Sequence, residues 1–120
     1  SLCTKFLLMC PLASLTSATG KTYGEILADD LLREKARNLM KEVASVAAAR
    51  HIHISEQTID TTMESIRRFG FYSKTSMQID KEKGKTTEID SLTGFLCRTG
   101  RESGIPTPLH EEILKQLNGK

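Results

Sequence analysis

Apolar residues recur at intervals of three and four at Leu32, Ala36, Leu39, Met40, Val43, Val46 and Ala47, with Arg33, Lys35, Arg37, Lys41 and Glu42 placed elsewhere. That spacing lays one apolar stripe along a helix and predicts an amphipathic helix from about Asp30 to Arg50. Ser55 reads as the N-cap of a following helix that carries Ile59, Met63 and Ile66 on one face and ends at Gly70. Further helices are predicted from about Tyr72 to Lys83 and from Glu88 to Ser103, the second with Ile89, Leu92 and Leu96 inward and Gly104 as its stop. Thr107 then caps a last helix with Pro108 at its first position, where the missing donor costs nothing, and with Ile113, Leu114 and Leu117 facing in.

The most apolar stretch is FLLMCPLASL, from Phe6 to Leu15. It is too short to cross a bilayer as a helix, and it has one basic residue before it and no clean cleavage site after it. It is expected to be a buried helix kinked or interrupted at Pro11, whose ring and absent N–H disturb the hydrogen-bond ladder. Thr16 to Tyr23 reads as a turn with Gly20 and Gly24 as breakers, and Glu25 to Asp30 as a short helical turn. Nothing alternates with a period of two. The expected fold is therefore an all-α helical bundle forming one domain over 1–120, without tandem repeats. The chain opens on Ser1-Leu2 inside an apolar run, as a piece of a longer polypeptide would.

With 120 residues, 38% of them apolar and 27% charged, the composition is that of one soluble globular domain. Its 17 basic and 15 acidic residues are interleaved and leave a net charge of +2. No electrostatic footprint for nucleic acid or an anionic membrane results, and the absence of Trp weakens base stacking further. Cys3, Cys10 and Cys97 have no CxxC spacing, which argues against a disulfide framework or a thiolate zinc site and suits a reducing, cytoplasmic setting. His51 and His53 form an HxH pair, but no further ligand type lies near them in sequence. A solvated connector is favoured over a metal pair.

Candidate chemistry concentrates between Lys74 and Pro108. Gly84 supplies a helix stop, Thr86 or Thr87 an N-cap, and Glu88 and Asp90 sit in a first turn, so Ser76 and Glu88 are expected to face one cleft of a helical hairpin. Both also have plain readings, Glu88 as a carboxylate that steadies a helix N-terminus and Ser76 as a surface hydroxyl. Lys5 is the one charge in the first twenty residues. An ammonium beside Phe6, Leu7 and Leu8 loses hydration, which favours a neutral form useful in proton transfer; equally, its stem can cover core while its tip reaches water. No GxGxxG motif follows a strand, and no Walker sequence is present.

The succession of Ser76-Met77, the TEID block at 87–90, a glycine in the helix after it, Gly100-Arg101-Glu102 and the GIPTP run at 104–108 resembles the C-terminal domain of the 2-dehydropantoate 2-reductase (ketopantoate reductase) family. The resemblance implies a bundle of the 6-phosphogluconate dehydrogenase C-terminal-like type, preceded in the parent protein by a Rossmann domain that binds NADPH. It implies a cytoplasmic oxidoreductase of pantothenate biosynthesis that reduces 2-dehydropantoate, or a related 2-keto acid, and that the isolated domain is inactive. It makes Lys5 the general acid, Glu88 the acceptor of a hydrogen bond from a substrate hydroxyl, and Ser76 a second substrate contact. The family pattern expects asparagines where this chain has Met9, Ala13 and Tyr23, which leaves the choice between ketopantoate and a related 2-keto acid open. A reading of another class is a free-standing helical interaction module, whose apolar amino-terminal segment would bind a partner or a second copy.

Overall fold

The computed structural model describes residues 2–68 and 93–118, with side chains described over 6–68 and 93–116. Six helices lie there: α1 (Leu2–Thr19), α2 (Tyr23–Ala28), α3 (Asp30–Ala49), α4 (Glu56–Ile66), α5 (Thr93–Ser103) and α6 (Pro108–Asn118). The expected all-α bundle is found, with no strand among the described residues. The helix predicted from Tyr72 to Lys83 and the start of the one predicted from Glu88 lie outside those residues.

Helix α1 is the central member and packs against α3, α4, α5 and α6. From Cys10 to Ser17 every residue is buried, as expected of a helix without a polar face. Hydroxyls inside this segment turn back on the helix: Ser14 Oγ donates to Cys10 O at 2.7 Å and Thr16 Oγ1 to Leu12 O at 2.8 Å. Ser14 Oγ also meets Thr93 Oγ1 of α5 at 2.5 Å.

Two expectations about this region need correction. Pro11 does not interrupt α1, which runs through it and past Leu15 to Thr19. The lost backbone bond is local, whereas Pro11 is buried and the helix around it is held by four neighbours. The stop is Gly20, at φ 74°, whose N–H closes on Thr16 O at 2.8 Å. Gly24 is not a breaker but a member of α2. Thr22 and Glu25 form a capping box there, Thr22 N–H donating to Glu25 Oε1 at 2.8 Å and Glu25 N–H to Thr22 Oγ1 at 3.4 Å.

Asp29 links the next two helices. Its carboxylate accepts from the amides of Leu31 at 2.9 Å and Leu32 at 3.2 Å and so caps α3. The stripe predicted on α3 is buried at Ala36, Leu39, Met40, Val43 and Val46, and Glu42 joins it, which corrects its placement away from the core. Ser55 caps α4 as expected, accepting from Thr58 N–H at 3.1 Å. That helix stops at Ile66, with Arg67 as its C-cap, rather than continuing to Gly70.

Gly104 ends α5 at φ 74°, and Ile105 N–H returns to Gly100 O at 2.8 Å. Proline opens α6 as predicted. Its next amides are capped by Glu42 of α3: Leu109 N–H donates to Oε2 at 2.7 Å and His110 N–H to Oε1 at 3.1 Å.

Candidate active-site face on the first helix

Lys5 lies in the first turns of α1, and its side chain is outside the described set. Met9 stands four positions on and shares its face of the helix. Met9 is 36% exposed, although every residue of α1 from Cys10 to Ser17 is buried. Beside it, half-buried Phe6 meets Phe95 of α5 edge to face, with ring centroids 5.9 Å apart and planes at 79°. Phe95 itself is 50% exposed. Phe6 and Phe95 thus form an apolar wall next to Met9.

Ser76 and Glu88, the predicted substrate contacts, lie outside the described residues, as does the hairpin predicted to join them. The other two positions at which the family resemblance implies asparagines are both described. Ala13 is 1% exposed and sits in the packed half of α1. Tyr23 packs against the core at the start of α2, and burial pushes its phenol above the ordinary range. Of the three, Met9 is the one classed as exposed.

Glu42 and His110 escaped the sequence reading. His110 is completely buried, and its Nδ1 lies 2.7 Å from Glu42 Oε1, with Nε2 unpartnered. A signal for both existed: Glu42 falls between Leu39 and Val46 on the apolar stripe, and His110 precedes Ile113 and Leu114 at helical spacing. Their bonds tie α3 to α6, and the carboxylate serves the orphan amides of a helix start. This is an anchor for the bundle.

The remaining polar features are also structural. Cys10 and Cys97 are buried thiols. Burial pushes both thiols up; Cys97 nearby adds to the effect at Cys10, while a hydrogen bond involving Thr107 opposes it at Cys97. Such thiols are poor nucleophiles. His51 and His53 are exposed in the connector after α3, as read from the sequence. A cavity of about 220 Å³ among α2, α3 and α4 is lined by Arg33, Arg37, Arg67, Asp60 and Glu64 with Leu27 and Met63. Each arginine there already has a carboxylate: Arg33 with Asp30 at 2.7 Å, Arg37 with Asp60, and Arg67 with Glu64 at 3.6 Å.

Three of the described glycines serve packing or turns. A Cβ on Gly100 would lie 2.8 Å from Ile105 O and 3.0 Å from Thr107 Cγ2, so that glycine serves close packing. Gly20 and Gly104 are turn residues at positive φ with open space beside them. Among the described residues, no helix is long and apolar enough to cross a membrane.

The described residues define an all-α bundle packed around one buried helix, α1. The family model described as "Ketopantoate reductase PanE/ApbA C terminal" matches residues 1–120, and the chain belongs to that family. The chain is similar to the 2-dehydropantoate 2-reductase of Mesorhizobium japonicum, with 30% identity over 100 residues, covering 83% of this chain and 30% of that protein. Its fold is similar to that of the dimeric ketopantoate reductase from Staphylococcus aureus, with TM-score 0.91 and 28% identity, covering 98% of this chain and 41% of that one. A D-mandelate dehydrogenase solved with NADH shares the fold at TM-score 0.87 and 20% identity, with 99% and 41% covered. The chain therefore spans about two fifths or less of the length of these proteins.

Proposed function

We propose that this chain is the helical substrate domain of a cytoplasmic two-domain reductase that converts a 2-keto acid, 2-dehydropantoate or a relative of it, into the corresponding 2-hydroxy acid. The observation that carries this reading is the family match along the whole chain. NADPH, held by a further domain of the longer protein, supplies the hydride. This chain supplies the proton: the Lys5 ammonium donates it to the keto oxygen as negative charge develops there. Ser76 and Glu88 hold the substrate by hydrogen bonds. Separate from the cofactor domain, the chain is inactive. A homo-oligomer of the parent is in keeping with the dimeric Staphylococcus aureus relative.

The test uses the full-length parent protein, followed by NADPH oxidation with 2-dehydropantoate and a panel of other 2-keto acids. Lys5→Ala is expected to lower kcat by about a hundredfold or more, the usual contribution of a general acid. A variant as fast as the wild type would remove Lys5 from the mechanism. Turnover by the isolated 120-residue chain would contradict the need for a second domain.

A further inference from the structure

We propose that the cavity among α2, α3 and α4 is a binding site for a small organic carboxylate. Three guanidinium groups line it, Arg33 and Arg37 from α3 and Arg67 from the end of α4. Arg33 and Arg37 stand four positions apart on one face of α3, where like charges disfavour the helix. The carboxylates beside them restrain these arginines without occupying them fully. A guanidinium carries five N–H groups in a planar fork. Arg33 uses one on Leu27 O at 3.0 Å and one on Asp30 Oδ1 at 2.7 Å. Arg37 meets Asp60 through Nη1, while its Nη2 stands 4.0 Å from Glu56. Arg67 Nε lies 3.6 Å from Glu64, too far for a hydrogen bond. None of the three has the two-pronged contact that suits arginine to an oxyanion, and most of their N–H groups have no acceptor among the described residues.

The lining decides which acceptor fits. Its three cations face two anions, Asp60 and Glu64, which leaves one positive charge in surplus. Asp30 and Glu56 approach from outside the cavity, are 88% and 77% exposed, and are screened by water and salt. A monoanion neutralises the surplus, whereas a doubly charged phosphate exceeds it and meets repulsion from Asp60 and Glu64. Leu27 and Met63 complete the wall with apolar surface, so the anionic group should carry a hydrocarbon tail. The volume is about 220 Å³. A cavity of about 150 Å³ already holds benzene, so a carboxylate of about five or six carbons fits. No residue assigned to the reaction lines the cavity, and the inference stands independently of the reductase reading.

The experiment titrates 3-methylbutanoate, which has no keto group to reduce, into the full-length parent labelled isotopically at its methionine methyl carbons. The Met63 resonance, identified by its loss in Met63→Leu, reports on this cavity alone. It is expected to move and saturate below about 0.1 M ligand, the ionic strength at which the Debye length is about 10 Å, and to stay in place with sodium chloride at the same ionic strength. Arg67→Gln should raise the Kd by about tenfold or more, the effect of losing a hydrogen bond to a charged group. Glu64→Gln removes a competing anion and should lower the Kd by about threefold. The opposite directions separate recognition from a general disturbance of the fold. A Met63 signal that responds no more than it does to chloride would overturn the inference, as would a Kd unchanged in Arg67→Gln. Inorganic phosphate binding as tightly as 3-methylbutanoate would overturn the assignment to carboxylates.

Discussion

Glu42 accepts a hydrogen bond from His110 at 2.7 Å across the packing of α3 on α6, and the same carboxylate caps the start of α6 through the amides of Leu109 and His110. A proton on Nδ1 satisfies the pair, and leaves Nε2 as a buried acceptor without a donor. Three donors from one helix therefore depend on one side chain from another.

Glu42→Ala should accordingly be among the more disruptive single substitutions in the bundle. It would bury two backbone N–H groups and an imidazole N–H without partners, for a loss of about 3 kcal/mol or more. Glu42→Gln keeps the shape but replaces one accepting oxygen by a donor that faces other donors, so it should also destabilise, by a smaller amount. Urea unfolding of both variants measures this. A loss under about 0.5 kcal/mol in each, the range of ordinary surface substitutions, would show that the pair is dispensable.

Gly100 poses a test in which two effects oppose each other. Alanine is the better helix former by about 1 kcal/mol. Against that, its methyl would stand 2.8 Å from the carbonyl oxygen of Ile105, which is backbone and cannot rotate away, and 3.0 Å from Thr107 Cγ2. Overpacking of this kind costs about 1–3 kcal/mol, so Gly100→Ala should lower the thermal midpoint. A higher midpoint would mean that the turn from α5 into α6 yields easily.

These two sites also mark the limit of what the sequence reveals. The stripe on α3, the Ser55 cap, the Gly104 stop and Pro108 at the head of α6 follow from local rules and are found where those rules put them. Pro11 misleads because its local penalty is met by burial against several helices, which no short window contains. Glu42 and His110 stand 68 residues apart, and treating every charged residue as solvent-facing hides that one of them lies on the apolar stripe. For the candidate site, the spacing of Lys5 and Met9 is legible from helical periodicity alone. The exposure of Met9 is not, since it depends on where neighbouring helices stop covering α1.

The buried thiols make stability depend on pH in a direction that can be derived. The ordinary value is 9.0, and burial raises Cys10 and Cys97 above it, so the folded protein keeps protons that the unfolded chain releases. Between the unfolded and the folded values the unfolded state binds fewer protons, and stability must fall as pH rises. The contribution is intact below about pH 9 and is lost above it, at up to about 1.4 kcal/mol per pH unit for each fully buried thiol. Tyr23 acts in the same direction from its own ordinary value of 10.0, so the total slope alone does not identify the thiols. The difference between the wild type and Cys10→Ala does. The variant starts less stable because it leaves a cavity, yet from about pH 9 to about pH 10 it should lose less stability than the wild type, by about 1 kcal/mol. Urea unfolding under reducing conditions at several pH values gives both curves, and parallel curves would show that Cys10 ionises as readily in the folded protein as in the unfolded chain.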